Sequence, residues 1–357
     1  MKLRHPLTGH VYASRDDGDV DVSDESGRSG RFRVDGSWIK GEIREADPHL
    51  LGFVTGPMVT MGGRAGRSLP DAGTAPARSG VPLPSFGDSS NQDSRRQTAT
   101  GSNTEMDLGL NGRKALVTAA SRGIGLSIAQ TLADQGCDVA LCARGEAGLE
   151  TARKDLEARG AKVFTKVVDV ADGDALKEFV AESAEALDGL DVFVSNASAG
   201  GGPGEQAWQP TFDIDVMGAV YGVSAATPFL SESDAGSVVI ISSTAALEYL
   251  GIPQAYSAMK AALIAYTSDM SQALASKGIR VNAVSPGPIY FEGGNWEMIK
   301  QAMPAMYEAA LGQCAIGRMG TPEEVARAVV FLASPAASLV TGSNLVVDGG
   351  FTKRAAF

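Results

Sequence analysis

Val117-Thr118-Ala119-Ala120-Ser121-Arg122-Gly123-Ile124-Gly125 is the stretch on which the fold turns. It joins an apolar run over 114–118 to a helical pattern over 124–135, and the glycines fall at the joint. Downstream the alternation repeats. Strand patterns lie at 138–142, 162–168, 191–195, 237–242, 280–284 and 344–347, with helical stretches at 146–159, 172–187, 212–230, 254–276 and 322–333. Strand, turn and helix in steady alternation predict a Rossmann-type, doubly wound parallel sheet of about seven strands with helices on both faces. Gly123 and Gly125 allow a pyrophosphate to approach backbone N–H groups at a helix N-terminus. A purely steric glycine turn is the alternative reading.

The second strand closes on Leu141-Cys142-Ala143-Arg144. A fold of this kind that prefers NAD usually carries an acid near that point for the ribose hydroxyls. Ala143 and Arg144 stand there instead, and Arg122 lies in the glycine turn. Two guanidinium groups can grip a 2′-phosphate through charge-assisted bonds, so the expected cofactor is NADP(H), with NAD(H) still possible.

A second constellation lies further on. Gly236-Ser237-Val238-Val239-Ile240-Ile241 reads as a buried parallel strand, with Ser242-Ser243 at its carboxyl end, where open α/β sheets bind ligands. Ala255-Tyr256-Ser257-Ala258-Met259-Lys260 reads as helix, with Tyr256 and Lys260 one turn apart on one face. A nearby ammonium favours a phenolate over a phenol. A serine hydroxyl can stabilise a developing oxyanion. The set suits proton transfer coupled to hydride transfer at a C–O centre. Without the rest of the chain, it would be an ordinary amphipathic pair and a strand-end hydroxyl.

The chain has 357 residues and a net charge of −11. Residues 1–105 hold 13 Lys/Arg and 14 Asp/Glu, so the acidity belongs to residues 106–357. That argues against nucleic acid or an anionic membrane as a partner. Cys137, Cys142 and Cys314 show no metal-ligand spacing, and no metal is expected. Three cysteines make no even disulfide set, and the N-terminus leads into no apolar signal core, so a cytoplasmic setting is expected. No apolar run has the ~18 residues needed to span a bilayer.

Residues 1–55 read as a small β-rich module or a dispensable extension. Val11-Tyr12, Val20-Asp21-Val22, Arg31-Phe32-Arg33-Val34 and Ser37-Trp38-Ile39 are strand pieces, with Asp17-Gly18 and Asp35-Gly36 as hairpin turns. Tyr12, Phe32, Trp38 and Phe53 are its candidate core. Residues 56–105 are rich in Gly, Ser, Pro, Ala and Arg without apolar period, and read as a flexible linker.

Taken together, residues 106–357 resemble a short-chain dehydrogenase/reductase, near the 3-oxoacyl-carrier-protein reductase-like branch. Thr118 to Gly125 is similar to TGxxxGxG, with Ala119 in place of the first glycine, tolerable if its φ is negative. Asp169-Val170 is similar to the acid and neighbour that contact adenine. Ser195-Asn196-Ala197-Ser198 stands where the family has NNAG. Ser243, Tyr256 and Lys260 match the catalytic residues, Pro286-Gly287 the turn beside the nicotinamide, and Asp348-Gly349-Gly350 the C-terminal signature. The resemblance implies that Thr118, Ser121, Arg122, Gly123, Ile124, Gly125, Arg144, Asp169, Val170, Asn196, Tyr256, Lys260, Pro286, Gly287 and Ile289 bind the cofactor. It also implies a fourth catalytic residue, an asparagine, where this chain has Asp215. Asp215 is expected to modify the proton relay, by bonding the relay water or by pairing with Lys260.

The implied reaction is reversible reduction of a ketone or 3-oxoacyl carbonyl to a secondary alcohol, with Tyr256 as proton donor. Residues 289–319 fall where the family keeps a mobile lid; Gly293-Gly294 reads as its hinge. Met298, Met303, Met306, Trp296 and Tyr307 either line an apolar pocket or simply pack the helices. An acidic domain ranks a ketone or acyl-CoA above an acyl carrier protein. The alternatives are an NAD-dependent secondary-alcohol or sugar dehydrogenase, and a catalytically weak NADP(H)-binding regulator. The resemblance also implies a homotetramer or homodimer paired through the helices at 212–230 and 254–276.

Overall fold

The computed structural model describes residues 2–4, 10–15, 17–33, 37–44, 46, 107–200, 204–249 and 253–353. They fall in two compact units, one within residues 1–97 and one within 98–357.

The first unit is an antiparallel sheet of five strands in chain order, β1 (Lys2–Arg4), β2 (Val11–Ser14), β3 (Val20–Ser23), β4 (Ser29–Phe32) and β5 (Trp38–Gly41). Alternation puts Tyr12, Val20, Val22 and Phe32 on the face that buries them with Ile43. The Asp17-Gly18 turn forms, with Gly18 at φ +86. A second turn at Asp24–Gly27, without counterpart in the expected pattern, starts β4 two residues early. The Asp24 carboxylate accepts from Ser26 Oγ (2.7 Å) and Arg28 N (3.0 Å), and the Ser26 hydroxyl and Arg28 hold its pKa down at about 2. Trp38 is a correction to the expected core. It sits on the edge strand, 42 % exposed, with the Arg44 guanidinium 5.2 Å over its ring. Phe53, Asp35-Gly36 and the linker at 56–105 lie outside the described residues.

The second unit holds a seven-stranded sheet, all parallel: β6 (Lys114–Val117), β7 (Asp138–Ala143), β8 (Val163–Val167), β9 (Val192–Ser195), β10 (Ser237–Ile241), β11 (Arg280–Pro286) and β12 (Asn344–Val347), in the order β12-β11-β10-β9-β6-β7-β8. The chain starts in the middle, builds outward through β7 and β8, then returns to the other side of β6. The reversal leaves a crevice between the carboxyl ends of β6 and β9, the usual ligand position in such sheets.

Burial on both faces explains the continuous apolar strands. Ala115 and Val117 of β6 with Val192 and Val194 of β9 face one core, shared with α1 (Gly123–Asp134), α2 (Glu146–Ala158) and the helix Pro322–Ala333. Leu116 and Phe193, one residue out of phase, face the other, shared with α3 (Gly173–Leu187), α5 (Gly218–Leu230) and α6 (Ala255–Ala275). The expected helix over 212–230 is not uniform. A short helix α4 (Trp208–Thr211) runs into a π-helical segment, Phe212–Met217, before α5 begins. Single π turns of this kind frequently mark functional sites. Two further helices, α7 (Asn295–Ala302) and α8 (Pro304–Gln313), occupy the expected lid segment ahead of α9 (Pro322–Ala333).

Candidate active site

The turn after β6 is held from across the crevice. Thr118 Oγ1 accepts from Asn196 N (2.9 Å) and Ala197 N (3.3 Å), while Asn196 Nδ2 donates to the carbonyls of Thr118 (3.0 Å) and Ala119 (3.2 Å). A Cβ at Gly125 would lie 2.7 Å from the Ala119 carbonyl and against Asn196 Nδ2, so this stitch needs glycine there. Ala119 has φ +52, contrary to the negative value that alanine prefers. The Asn196 Nδ2 bond to its carbonyl accompanies this left-handed conformation, which costs roughly 1–2 kcal/mol.

These elements shape a cleft of about 430 Å³ lined by Ser121, Arg122, Gly123, Ile124, Gly125, Arg144, Asp169, Val170 and Asn196 from the expected set, with Ala143, Ser198, Ile214 and Phe291 among its other walls. The start of α1 has no side-chain cap and no acidic residue in its first turn. Its N–H groups are therefore free to meet an anion, and the cleft suits a dinucleotide pyrophosphate. Arg144 is exposed and makes no ion pair among the described residues. Arg122 donates to the Gly293 carbonyl (3.0 Å). Thr118, Tyr256, Lys260, Pro286, Gly287 and Ile289 of the expected set do not line this cleft: Thr118, Lys260 and Ile289 are buried, and Gly287 N bonds the Val347 carbonyl at 3.0 Å.

The lid segment differs from a pocket of methionines. Met298, Met303 and Met306 are 58 %, 49 % and 48 % exposed, whereas Tyr290 and Trp296 meet the Tyr307 ring edge to face at 6.1 and 6.5 Å, and all three pack against Ala310, Cys314, Met319 and Phe351. Helix packing accounts for the aromatics. Only Phe291 of the segment reaches the cleft, and a Cβ at Gly123 would lie 2.6 Å from its Cζ.

A second cluster lies at the carboxyl end of β10. Ser243 leaves the strand in extended conformation and accepts from Ala245 N at 3.1 Å. The next turn, Thr244–Ala246, packs on α6, which carries Tyr256 and Lys260. Ser242 Oγ donates to the Lys260 carbonyl (2.8 Å) and locks strand to helix. Lys260 Nζ donates to the Ile241 carbonyl (2.9 Å) and lies 5.6 Å from the Tyr256 ring centroid. Its counter-ion is Asp215, 3.0 Å away, with side-chain exposures of 2 % and 0 %. The π turn delivers Asp215 inward, while Asp213 turns outward to Gln209 Nε2 (2.8 Å). Asp215 also accepts from Ser198 Oγ (2.8 Å) and Ala199 N (2.7 Å). Sequence reasoning reached Asp215 but not Ser198, whose only signal was a serine where the family has glycine.

A parallel sheet with a phosphate-ready helix start at its switch point, beside an alcohol, a phenol and an amine, defines a nucleotide-dependent dehydrogenase or reductase by class. Comparison with known proteins is specific. A family model described as enoyl-(acyl carrier protein) reductase matches residues 118–352. Isoepoxydon dehydrogenase of Penicillium expansum is 40 % identical over 69 % of this chain and 96 % of its own length. A 3-oxoacyl-[acyl-carrier-protein] reductase of Chlamydia pneumoniae is 31 % identical over 69 % of this chain and 100 % of its own. The crystal structure of NAD⁺-bound xylitol dehydrogenase superposes with a TM-score of 0.63 at 28 % identity, covering 68 % of this chain and 99 % of that one. The chain belongs to the short-chain dehydrogenase/reductase family. It is an oxidoreductase of CH–OH and C=O groups on small molecules, in a family that uses NAD(P). No helix among the described residues is long and apolar enough to cross a membrane.

Proposed function

We propose that the chain reversibly reduces a ketone or 3-oxoacyl carbonyl to a secondary alcohol, with NADP(H) as cofactor and Tyr256 as proton donor. The observation that carries the reading is the buried Lys260 ammonium, fixed by the Ile241 carbonyl beneath the Tyr256 ring. A nicotinamide bound in the cleft would supply or accept the hydride. Tyr256 gives its proton to the substrate oxygen during reduction, and Lys260 stabilises the phenolate that remains. One lone pair of Ser243 is taken by the Ala245 N–H, which leaves its O–H to donate to the substrate oxygen.

Arg144 and Arg122 both line the cleft and no acid immediately follows β7, which favours a 2′-phosphate. The Arg122 bond to Gly293 must open for that residue to join. The NAD⁺-bound xylitol dehydrogenase supports NAD use as the second reading, and dissociation constants for NADPH and NADH decide between them. Isoepoxydon and acyl-CoA ketones are the first substrates to assay, the former because a relative is named for it. The long helices α5 and α6 are the surfaces for a dimer or tetramer. Three unpaired cysteines suit a reducing, cytoplasmic compartment.

Tyr256→Phe keeps the ring and removes the proton. Turnover is expected to fall by roughly 10²-fold or more, with nucleotide affinity retained. Near-parental turnover in this variant would refute the assignment.

A further inference from the structure

A lysine that passes on a proton must recover one, and here neither it nor its counter-ion meets solvent. The Lys260 and Asp215 side chains are 2 % and 0 % exposed. Among the described residues, three donors surround the Asp215 carboxylate: Lys260 Nζ from α6, and Ser198 Oγ and Ala199 N from the loop after β9. The Ala199 amide keeps its proton. The Ser198 hydroxyl can release one while taking another, because it is both donor and acceptor. Like Ala199 it is exposed, and of the three only its residue lines the cleft. Its oxygen accepts from Gly200 N (3.1 Å), which aims the O–H at Asp215 and leaves a second lone pair for water.

We infer that Ser198 is a positioning residue through which Lys260 exchanges protons with solvent, by way of Asp215. The inference rests on the Tyr256–Lys260 reading of the site. For each carbonyl reduced, Tyr256 loses one proton to the substrate oxygen and is restored from Lys260. Asp215 then hands Lys260 a proton received from Ser198, which draws its replacement from water in the cleft. Every group ends as it began, and one proton is consumed from water. In the oxidative direction the same chain runs backward. The carboxylate thus has two tasks, holding the ammonium and carrying its proton, and the serine gives the second task an outlet.

The test uses the full chain. Exchange of the ¹⁵N-labelled Lys260 ammonium protons with water is followed by NMR, which needs no substrate. Ser198→Ala is expected to slow that exchange roughly 10²-fold, the low end of the usual weight of a positioned proton-transfer partner, and Ser198→Thr to restore it. In turnover of isoepoxydon or acetoacetyl-CoA, Ser198→Ala should lower kcat, leave KM for the nucleotide unchanged, and enlarge the solvent deuterium isotope effect. If Ser198→Ala does not fold, Ser198→Cys, close in shape and a poor donor, is expected to show the same slowing. Parental exchange rates in a folded Ser198→Ala or Ser198→Cys protein would overturn the inference. So would slow exchange that threonine fails to restore. Failure of the underlying assignment has a separate signature, full turnover by Tyr256→Phe.

Discussion

Asp215→Ala removes one half of a buried ion pair and leaves the other in place. The Lys260 ammonium, 2 % exposed, would keep a single acceptor, the Ile241 carbonyl at 2.9 Å. Stranding one partner of such a pair costs about 3–5 kcal/mol, most of it the uncompensated charge. The Ser198 hydroxyl and Ala199 N–H lose their acceptor too, but both residues are exposed and can turn to water, so they add little. In a domain of this size the loss corresponds to a fall in Tm of roughly 6–20 °C. Asp215→Asn should be milder. Its amide must present an NH₂ either to Ala199 N–H or toward Lys260, which spoils one contact at about 1–3 kcal/mol. Asp215→Ala combined with Lys260→Met removes both charges and should regain part of the loss. Thermal and urea unfolding of the parent, the two single variants and the double variant are the assay. An Asp215→Ala protein melting within ~2 °C of the parent, or a double variant no more stable than the single, would refute the reasoning.

Ala119→Gly should relieve the left-handed strain at φ +52 and raise stability by up to about 1 kcal/mol, measured by urea unfolding; a loss would show that the turn is not strained. Phe291→Ala uncovers Gly123, where the ring now lies against the glycine turn after β6. Displacing a half-buried phenyl costs about 1 kcal/mol, so the variant should bind NADPH roughly fivefold more tightly by titration. Unchanged or weaker binding would mean that the ring does not compete with the nucleotide.

Much of this molecule is legible in its local patterns. Alternating apolar runs place the seven parallel strands to within about two residues, because burial on both faces demands uninterrupted β-branched and aliphatic side chains. The four-residue spacing of Tyr256 and Lys260 puts them on one helical face whatever surrounds the helix. Gly123 and Gly125 announce a close backbone approach because no other residue permits it. The rest depends on partners far apart in sequence. Asp215 meets Lys260 only because a π turn rotates it inward, and no periodicity in 212–230 signals that turn. Ser198 becomes a candidate only once the loop after β9 lies against that carboxylate. The positive φ at Ala119 accompanies a bond from Asn196, 77 residues away, and Trp38 is exposed because β5 closes the edge of its sheet. Local propensity specifies which elements form. Which side chains then share a buried charge or a proton is a property of the assembled fold, where desolvation makes each unpaired group costly and so selects its partner.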